Sequence, residues 1–374
     1  MSSTLAAVLV GCGSLSQRGV LPHMSLPDAR DKVRLVAAVD AVAERAQASA
    51  AKYDIPHAFA SLDEALAAVE VDLVLVITPI PLHFPQAMTA IAAGKHVYVQ
   101  KAMTTSVAEA DALLAARDRA GVKLAAAPGF ELFPSVPAMR ALIDDGALGR
   151  VGVGFSYTWG FGHEFEPIRG GEGTLAAIDP SWYYRPGAGP LPDVTIYGLQ
   201  LATSLLGPVR RVTALANKTT ETRTWHGQTI PVEIPDNNLV LMEFARGALV
   251  TAVGANIRGS RRIPWGGLGL YGTDGVLEIT DVDGASGYPL VFHVDGSAAQ
   301  SREFALSDQP YLTGAHLALE EPHVYCDIMD LVDGIRDGRA PRSTGEQARH
   351  VVEIIEKAQA AAATGAAQLL ATDC

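Results

Sequence analysis

The sequence is poor in the features that mark secreted, zinc-bound and membrane proteins. Its 374 residues include three cysteines, Cys12, Cys326 and Cys374, which lie far apart and form no C-x-x-C pair. This pattern argues against a disulfide framework or a structural zinc site and fits a reducing compartment. No apolar run approaches the roughly 18 residues of a membrane helix, and the amino terminus lacks the basic start of a signal peptide. We therefore expect a cytoplasmic protein with no membrane partner.

Clusters of basic residues are also missing. Lys and Arg total 29 against 41 Asp and Glu, so the formal net charge is -12. A nucleic-acid partner is therefore not expected, because phosphate backbones are bound by concentrated positive charge. The apolar fraction of 48% and charged fraction of 19% are typical of a globular protein with a large core. The length exceeds that of one ordinary core and indicates two domains.

The first third of the chain alternates short apolar runs with Ala-rich segments. The predicted strands are Leu5–Val10, Val33–Val39, Leu73–Ile77, His96–Val99 and Lys123–Ala126. The predicted helices between them are Ala41–Lys52, Leu62–Val69, Phe84–Ala93 and Val107–Ala120. Continuous apolar strands separated by helices indicate a parallel sheet that is covered on both faces. We predict a doubly wound α/β domain, a Rossmann domain, over residues 1–128.

After Gly149 the pattern changes to strands that follow one another without helices. They are Val151–Trp159, Val209–Asn217, Asn238–Phe244, Ala248–Asn256 and Leu268–Ile279. Three helices are predicted in this part, Asp193–Leu206, Glu321–Arg336 and Gly345–Ala363. Successive strands joined by turns favour an antiparallel or mixed sheet. We predict an α+β domain over residues 129–374 with a large, mostly antiparallel open sheet.

A glycine turn, G-C-G-S-L-S at residues 11–16, follows the first predicted strand directly. In a β-α-β unit the first glycine permits the turn and the second lets a pyrophosphate approach the backbone, while the helix N-terminus attracts the phosphates. The third position of this fingerprint is Ser16, which is still small enough for close packing. We predict that Gly11, Gly13, Ser14 and Leu15 bind a dinucleotide.

Asp40 ends the second predicted strand. A carboxylate at this place can accept hydrogen bonds from both hydroxyls of the adenosine ribose and repel a 2′-phosphate. No Arg or Lys follows directly, so NAD is favoured over NADP. The alternative is that Asp40 only caps the next helix, although one carboxylate can serve both purposes.

Two further strand ends carry polar residues. Thr78-Pro79 follows the third main strand, with His83 four residues beyond Pro79, and Gln100-Lys101 follows the fourth. Doubly wound sheets bind their ligands at the carboxyl ends of strands. A lysine is costly to bury there without a purpose, although the alternative of a surface lysine with a buried stem stays open.

A second polar group lies in the predicted helix of the carboxy-terminal domain. Asp193, Tyr197 and Gln200 are spaced i, i+4 and i+7, so a helix would present them on one face. The alternative is that Asp193 caps the helix and Tyr197 belongs to the core. Candidate substrate contacts precede this helix, where aromatic and polar side chains cluster; they are His163, Trp182, Tyr183 and Arg185. Aromatic rings suit the C–H faces of sugars, but they also serve as ordinary packing.

Together these motifs resemble the Gfo/Idh/MocA family of sugar and cyclitol oxidoreductases. Its members share the glycine turn, T-P-x-x-x-H, G-K-H-V followed by E-K-P, and later D-x-G-x-H-x-x-D. The matching stretches here are residues 11–16, 78–83, 94–102 and 193–200. Three positions depart from the pattern: the tripeptide is Gln100-Lys101-Ala102, and Tyr197 and Gln200 replace the family's His and final Asp. Tyrosine at the histidine position occurs in some members, including dihydrodiol dehydrogenase-like enzymes.

The resemblance implies an NAD(P)-dependent dehydrogenase that moves a hydride between the nicotinamide and a hydroxyl or keto group of a sugar, glycoside or cyclitol. It implies a dinucleotide site at Gly11, Gly13, Ser14, Leu15, Asp40, Thr78, Pro79, His83, Gln100 and Lys101. Tyr197 would act as the acid/base, with Lys101 polarising the substrate oxygen and Asp193 supporting both, unless Lys101 itself carries the proton.

Two other activities stay open under the same resemblance, a redox-assisted glycosidase or lyase and a non-catalytic sensor of dinucleotide or sugar. Although His163-Glu164 lies beside the aromatic cluster, no second histidine follows at a metal-binding spacing, so no metal is expected. Exposed sheets of this size usually find cover, and the resemblance implies a homodimer or homotetramer built through this sheet.

Overall fold

The computed structural model describes residues 4–257, 265–283, 288–296 and 298–374. The chain forms two compact units, each from three segments. The first unit comprises Met1–Gly129, His163–Trp182 and Tyr311–Gly345, and the second comprises Phe130–Gly162, Tyr183–Pro310 and Glu346–Cys374. The division into domains 1–128 and 129–374 stays a prediction. The compact units differ from it because two later segments belong with the first unit.

A six-stranded parallel sheet forms the centre of the first unit, in the order β3-β2-β1-β4-β5-β6. The strands are β1 (Leu5–Val10), β2 (Val33–Val39), β3 (His57–Phe59), β4 (Leu73–Val76), β5 (His96–Val99) and β6 (Leu124–Ala126). All four residues of β4 are buried, as expected of a parallel strand with helices on both faces. The predicted doubly wound fold is confirmed. Only the short β3 has no counterpart among the predicted strands.

Seven helices belong to this unit within the part of the chain that the structure describes. They are α1 (Leu21–Met24), α2 (Pro27–Arg30), α3 (Ala43–Tyr53), α4 (Leu62–Ala68), α5 (His83–Ala92), α6 (Val107–Ala120) and α9 (Pro322–Asp337). Local chemistry sets their ends: the side chain of Ser106 accepts a hydrogen bond from the N–H of Glu109 at the start of α6, and Gly121 ends that helix with φ +66°. The predicted bounds of α6 are confirmed, and those of α3, α4 and α5 shift by one or two residues.

The second unit is built on a nine-stranded sheet in the order β16-β15-β14-β13-β7-β12-β11-β8-β17. Its strands are β7 (Val151–Trp159), β8 (Val209–Asn217), β11 (Asn237–Phe244), β12 (Leu249–Ala255), β13 (Gly267–Gly272), β14 (Gly275–Val282), β15 (Pro289–Gly296), β16 (Gln300–Glu303) and β17 (Gln368–Leu369). A separate hairpin pairs β9 (Thr222–Trp225) with β10 (Gln228–Pro231). The pairing of β7 with β12 is parallel, whereas the remaining pairs are antiparallel. The predicted mostly antiparallel sheet is confirmed.

Two sequence predictions for this unit need correction. The predicted single strand Leu268–Ile279 is two strands, β13 and β14, because the chain reverses at Thr273 and Asp274. The predicted helix Asp193–Leu206 begins as a π-helical turn at Leu191–Thr195 and continues as α8 (Ile196–Leu206). The wider π turn changes the angular spacing that was used to place Asp193 on one face with Tyr197.

The nine-stranded sheet has a helix-covered face and an exposed face. The helices of this unit are α7 (Ser135–Asp144), α8 and α10 (Gly345–Thr364), and α8 packs against β7 and β12. Apolar side chains on the other face are 37% to 72% exposed; they are Val153, Phe155, Leu215, Leu239, Leu241, Leu249 and Tyr271. Strand register places them together, since Leu239 pairs with Leu215 and Val153 pairs with both Leu249 and Tyr271.

Within the four ranges that the structure describes, no helix is long and apolar enough to cross a lipid bilayer. All three cysteines are free thiols.

Candidate functional site

The glycine turn after β1 has the conformation that the sequence predicts. Gly11 has φ +94°, and a Cβ there would collide with the carbonyl group of Ile77, whose carbon lies 2.8 Å from the Cβ position. Gly13 differs, because among the described residues no atom outside its own stretch of backbone lies within 4 Å of its Cβ position. Gly11 is therefore required by the fold itself, whereas the space beside Gly13 is open to a ligand.

Backbone N–H groups at the start of the next helix face the same place. The helix begins at Ser14 and widens into a π-helical turn at Ser16–Val20, and the first N–H groups of a helix have no partner within it. Ser16 is buried, and its hydroxyl donates to the carbonyl oxygen of Gly11 at 2.5 Å. The turn thus offers an open approach, N–H donors and a positive helix end, which fit the diphosphate of a dinucleotide.

Asp40 lies at the carboxyl end of β2 and is tied to the same turn. One carboxylate oxygen accepts the N–H of Cys12 at 2.9 Å, and the other accepts the N–H of Val42 at 2.9 Å. Arg45 also donates to the second oxygen at 3.2 Å. Three of about four acceptor positions of a carboxylate are therefore in use. Binding of both ribose hydroxyls would require Arg45 to move away from Asp40.

A carboxylate from the segment His163–Trp182 also reaches the glycine turn. Glu166 accepts a hydrogen bond from the hydroxyl of Ser14 at 2.7 Å, and it is bonded by the Nδ1 of His163 and, at 2.7 Å, by the Nε of Arg169. Burial opposes its ionisation, but His163, Arg169 and Ser14 together hold the pKa of the Glu166 carboxyl well below its usual range. A negative charge thus stands at the helix end that would receive the diphosphate.

The ends of β4 and β5 are joined by one buried side chain. His83, the first residue of α5, is fully buried. Its Nδ1 lies 2.7 Å from the carbonyl oxygen of Ala102, and its Nε2 lies 2.7 Å from the carbonyl oxygen of Thr78. The hydroxyl of Thr78 donates to Gln86 at 2.6 Å. Since Cγ2 of Thr78 is 2.9 Å from the Cβ position of Gly11, this region borders the glycine turn.

Gln100 supports Lys101 from the interior of the unit. Its amide nitrogen donates to the hydroxyl of Tyr98 at 3.0 Å, and its amide oxygen accepts the backbone N–H of Lys101 at 3.0 Å. Tyr98 in turn donates to Asp327 at 3.2 Å, and burial raises the pKa of Asp327 well above its usual range. These bonds account for the Gln100 side chain as a support for the loop, and its predicted cofactor contact stays a prediction.

The half-buried Lys101 lies in a charged environment that includes the start of α9 and Arg18 of the π-helical turn Ser16–Val20. Burial raises the pKa of Glu321, against the positive charges of Arg18 and Lys101. Burial together with the same two charges lowers the pKa of His323 to about 3. Arg18 is 2.9 Å from Glu321. The positive charge of Lys101 thus lies close enough to influence Glu321 and His323 at the start of α9.

In the second unit, the structure buries the predicted polar group. Asp193 is 7% exposed and Tyr197 8% exposed. The Tyr197 ring meets Phe130 and Trp265 edge to face, with ring centres 6.3 Å and 5.0 Å apart. Gln200 is also buried, and within the part of the chain that the structure describes its amide oxygen has no hydrogen-bond partner. The catalytic roles of Asp193, Tyr197 and Lys101 stay predictions.

The four predicted substrate contacts have different surroundings. In the first unit, the rings of His163 and Trp182 are 5.7 Å apart. In the second unit, Tyr183 is buried and donates to Asn256 at 3.0 Å, whereas Arg185 is exposed. Tyr183 therefore fits the alternative interpretation of the aromatic cluster, in which the rings serve as ordinary packing. The other three side chains have only partial cover, and a substrate contact stays a prediction for all four.

Sequence reasoning missed two charged residues of the glycine-turn region, Arg45 and Glu166. Arg45 lies five residues after Asp40, and a search for a basic residue over the next helical turn would have found it. Glu166 lies 152 residues from Ser14 and has no local signal. Among the described residues, no group of three or more His, Cys, Asp or Glu side chains is arranged to hold a metal ion.

Two family models match the chain. Residues 5–127 match an oxidoreductase family model described as an NAD-binding Rossmann fold, and residues 136–278 match the GFO/IDH/MocA C-terminal domain. A trans-1,2-dihydrobenzene-1,2-diol dehydrogenase of Mus musculus is 28% identical over 199 residues, which are 53% of this chain and 55% of that protein. The chain thus spans about half the length of this curated relative.

Solved structures share the fold over nearly the whole chain. A levoglucosan dehydrogenase in complex with NADH and L-sorbose has a TM-score of 0.80 at 18% identity, covering 99% of each chain. An aldose-aldose oxidoreductase from Caulobacter crescentus in complex with glycerol has a TM-score of 0.76 at 23% identity, covering 98% of this chain and 100% of that one. At these identities the likeness shows the fold alone. With residues 5–127 and 136–278 matched in order to the two models, the chain belongs to the Gfo/Idh/MocA family of oxidoreductases, and its Rossmann fold is of the NAD-binding kind.

Proposed function

We propose that this protein is an NAD-dependent dehydrogenase that interconverts a hydroxyl and a keto group on a sugar, glycoside or cyclitol. One observation carries the proposal: a lysine of the family motif, Lys101, stands at the carboxyl end of β5, in the same unit as an open glycine turn that fits a diphosphate. The relatives are named as a diol dehydrogenase, a levoglucosan dehydrogenase and an aldose-aldose oxidoreductase, and these activities favour substrates with neighbouring hydroxyl groups.

The nicotinamide supplies the hydride acceptor when the dinucleotide is bound. Gly11, Gly13, Ser14 and Leu15 would hold the diphosphate through the open turn and the helix N-terminus. Asp40 would hold the adenosine ribose. Thr78 and Pro79 would line the strand end beside the nicotinamide half, since both follow β4 and Thr78 lies next to Gly11.

The protein's own part in the chemistry is to move a proton. We assign the acid/base role to Tyr197, with Lys101 polarising the substrate oxygen and Asp193 supporting the pair. A tyrosine of ordinary pKa, about 10, is a poor base at neutral pH, and a nearby ammonium group favours its ionised form. The competing assignment makes Lys101 the proton carrier, and the buried edge-to-face packing of Tyr197 fits either version.

Substrate recognition is assigned to the residues around the aromatic cluster. Trp182 and His163 present adjacent rings in the first unit, and Trp182 offers an apolar face to sugar C–H groups. Arg185 is exposed and offers donors to hydroxyl groups. Tyr183 is buried, so it would contribute to substrate recognition by orienting the residues packed around it.

We further propose a homodimer or homotetramer that associates through the exposed face of the nine-stranded sheet. Single exposed apolar residues are common on protein surfaces, but the seven apolar side chains on this face lie together. Contiguous exposed apolar patches usually mark an interface. Sedimentation of Leu239→Asp/Leu241→Asp should give a monomer where the wild type gives the oligomer. A wild-type monomer would contradict this assembly.

The free cysteines fit the cytoplasm as the place of the activity.

The test of function is a screen of the purified protein with NAD, and separately NADP, against aldoses, cyclitols and glycosides. Absorbance of the reduced cofactor is followed together with the mass of the sugar. Cofactor reduction that disappears in Lys101→Met supports the dehydrogenase. Sugar cleavage without net reduction would replace it with the redox-assisted glycosidase or lyase, and dinucleotide binding without turnover would replace it with the sensor.

A further inference from the structure

His83 makes an unusual pair of contacts for a buried histidine. Both ring nitrogens lie 2.7 Å from backbone carbonyl oxygens, those of Ala102 and Thr78. The ring is fully buried. Both distances are at the short end of the range for N–H···O hydrogen bonds, where charge-assisted bonds are found.

A carbonyl oxygen can only accept a hydrogen bond. Neutral imidazole has one N–H and one nitrogen with a lone pair, so it can donate to one carbonyl and would place its lone pair against the other. Only the doubly protonated ring donates to both oxygens. The two contacts are therefore compatible with hydrogen bonding on both sides only if the ring is an imidazolium.

We propose that His83 is a buried imidazolium that positions Lys101 by tying the end of β4 to the loop after β5. The carbonyl of Ala102 belongs to the residue that follows Lys101, and the carbonyl of Thr78 belongs to the residue beside the glycine turn. His83 thus acts on the site through the backbone. It is a positioning residue, in contrast to the cofactor contact that the motif predicts.

Two effects oppose the charge, and the contacts must offset them. Burial disfavours any ion, and α5 begins at His83, where the helix end is itself positive. Lys101 is the only other ionisable side chain in residues 77–92 and 100–106, the segments that supply the ring and its partners. On neighbouring elements, Glu109 of α6 accepts from Thr105, and Tyr98 of β5 donates to Asp327.

His96 provides an internal reference at the opposite end of β5. Its Nδ1 accepts the N–H of Lys123 at 2.9 Å, so this nitrogen carries no proton and the ring is neutral. Burial and the charge of Lys123 lower its pKa. The contacts of these two histidines, His96 at the start of β5 and His83 beside the loop after β5, therefore require opposite protonation states.

The ring protonation is tested on the full-length protein labelled with ¹⁵N-histidine. Ring signals are recorded at pH 8, where a histidine with the ordinary pKa of about 6.5 is neutral, and are assigned with His83→Gln and His96→Gln. We expect two protonated nitrogens for His83 and one for His96. A single protonated nitrogen on His83 would overturn the proposal. If His83→Gln does not fold, His83→Asn serves for assignment.

The positioning role rests on the proposed function of Lys101, whereas the ring protonation does not. We expect His83→Gln to lower kcat about tenfold or more and to change the Kd for NAD less than threefold. If the wild type shows no turnover, the acetylation rate of Lys101 relative to Lys95, measured by mass spectrometry, takes the place of kcat. An at least threefold change in this ratio in His83→Gln supports positioning. An unchanged ratio, or an unchanged kcat where turnover exists, refutes it.

Discussion

Two regions at the strand ends of the first unit border each other and are built differently. At the ends of β1 and β2, the glycine turn is surrounded by ionised side chains, with Asp40 paired to Arg45 and Glu166 bonded to Ser14. At the ends of β4 and β5, one buried histidine holds backbone carbonyls together. The first region can change its partners by rotating side chains. The second changes only if the backbone moves, because its partners are main-chain atoms.

The difference suggests a division of labour. A region that must admit and release a charged dinucleotide benefits from exchangeable ion pairs, since partly exposed pairs cost little to break. A region that must hold a reacting group within a small distance benefits from fixed support, because misplacement by about 1 Å can cost a hundredfold in rate. We therefore expect substitutions in the first region to change binding and those in the second to change turnover.

The largest expected effect is on turnover at the end of β5. Lys101→Met should lower kcat by about 10²–10⁴-fold, the usual contribution of a proton-transfer group, and leave the Kd for NAD within about threefold of wild type. Steady-state kinetics and calorimetric titration measure the two quantities. Lys95→Met, at the amino end of the same strand, is the matched control. Equal losses in both variants would remove Lys101 from the chemistry.

The two glycines separate the demands of the fold from those of the ligand. Gly13→Ala should keep the melting temperature, because no described residue beyond its own stretch of backbone has an atom within 4 Å of the Cβ position. It should weaken NAD binding by roughly 10–100-fold, through a clash with the ligand worth about 1–3 kcal/mol. Gly11→Ala should weaken NAD binding as well and should also lower the free energy of unfolding by about 2–4 kcal/mol, because the alanine strains the positive φ and its Cβ collides with Ile77.

Thermal melting of both variants measures the effect on stability, and NAD titration measures the effect on binding. Normal NAD binding in Gly13→Ala would mean that the diphosphate lies elsewhere.

Asp40 tests the choice between the two dinucleotides. Asp40→Ser should weaken NAD binding by about tenfold, through loss of charged hydrogen bonds worth about 1.5 kcal/mol. It should also strengthen NADP binding, because Arg45 loses its carboxylate partner and becomes available to a 2′-phosphate. The gain for NADP should disappear in Asp40→Ser/Arg45→Ala. A gain that survives without Arg45 would show that removal of the Asp40 charge alone is responsible.

The smallest expected effect concerns Glu166. Glu166→Gln should tighten NAD binding by about fivefold, the equivalent of about 1 kcal/mol, because a negative charge leaves the helix end and the pairing of His163 and Arg169 is weakened. Glu172→Gln, on an exposed residue of the same segment, is the control. Weaker binding in Glu166→Gln would instead indicate that the carboxylate holds His163 and Arg169 in place for the ligand.

Local patterns predicted where several candidate residues of the first unit lie. Gly11, Asp40, Thr78 and Lys101 lie at strand ends, and the strand pattern together with the position of each residue was enough to place them. His83 was found by its motif, but a motif shows which residue is present and not which atoms it meets, so the predicted cofactor contact stays a prediction beside the positioning role proposed above. Both of its carbonyl partners are invisible in any sequence pattern.

The sequence by itself determined the parallel sheet, the family and the residue types at the strand ends, because apolar runs, helix formers and glycines act on their immediate neighbours. Only the tertiary structure decided that His163–Trp182 and Tyr311–Gly345 join the first unit, that Glu166 meets Ser14, and that His83 joins two strand ends. These contacts depend on backbone atoms and on side chains far apart in sequence, such as Arg18 and Glu320, which are 302 residues apart, and the chain carries no local periodicity for them.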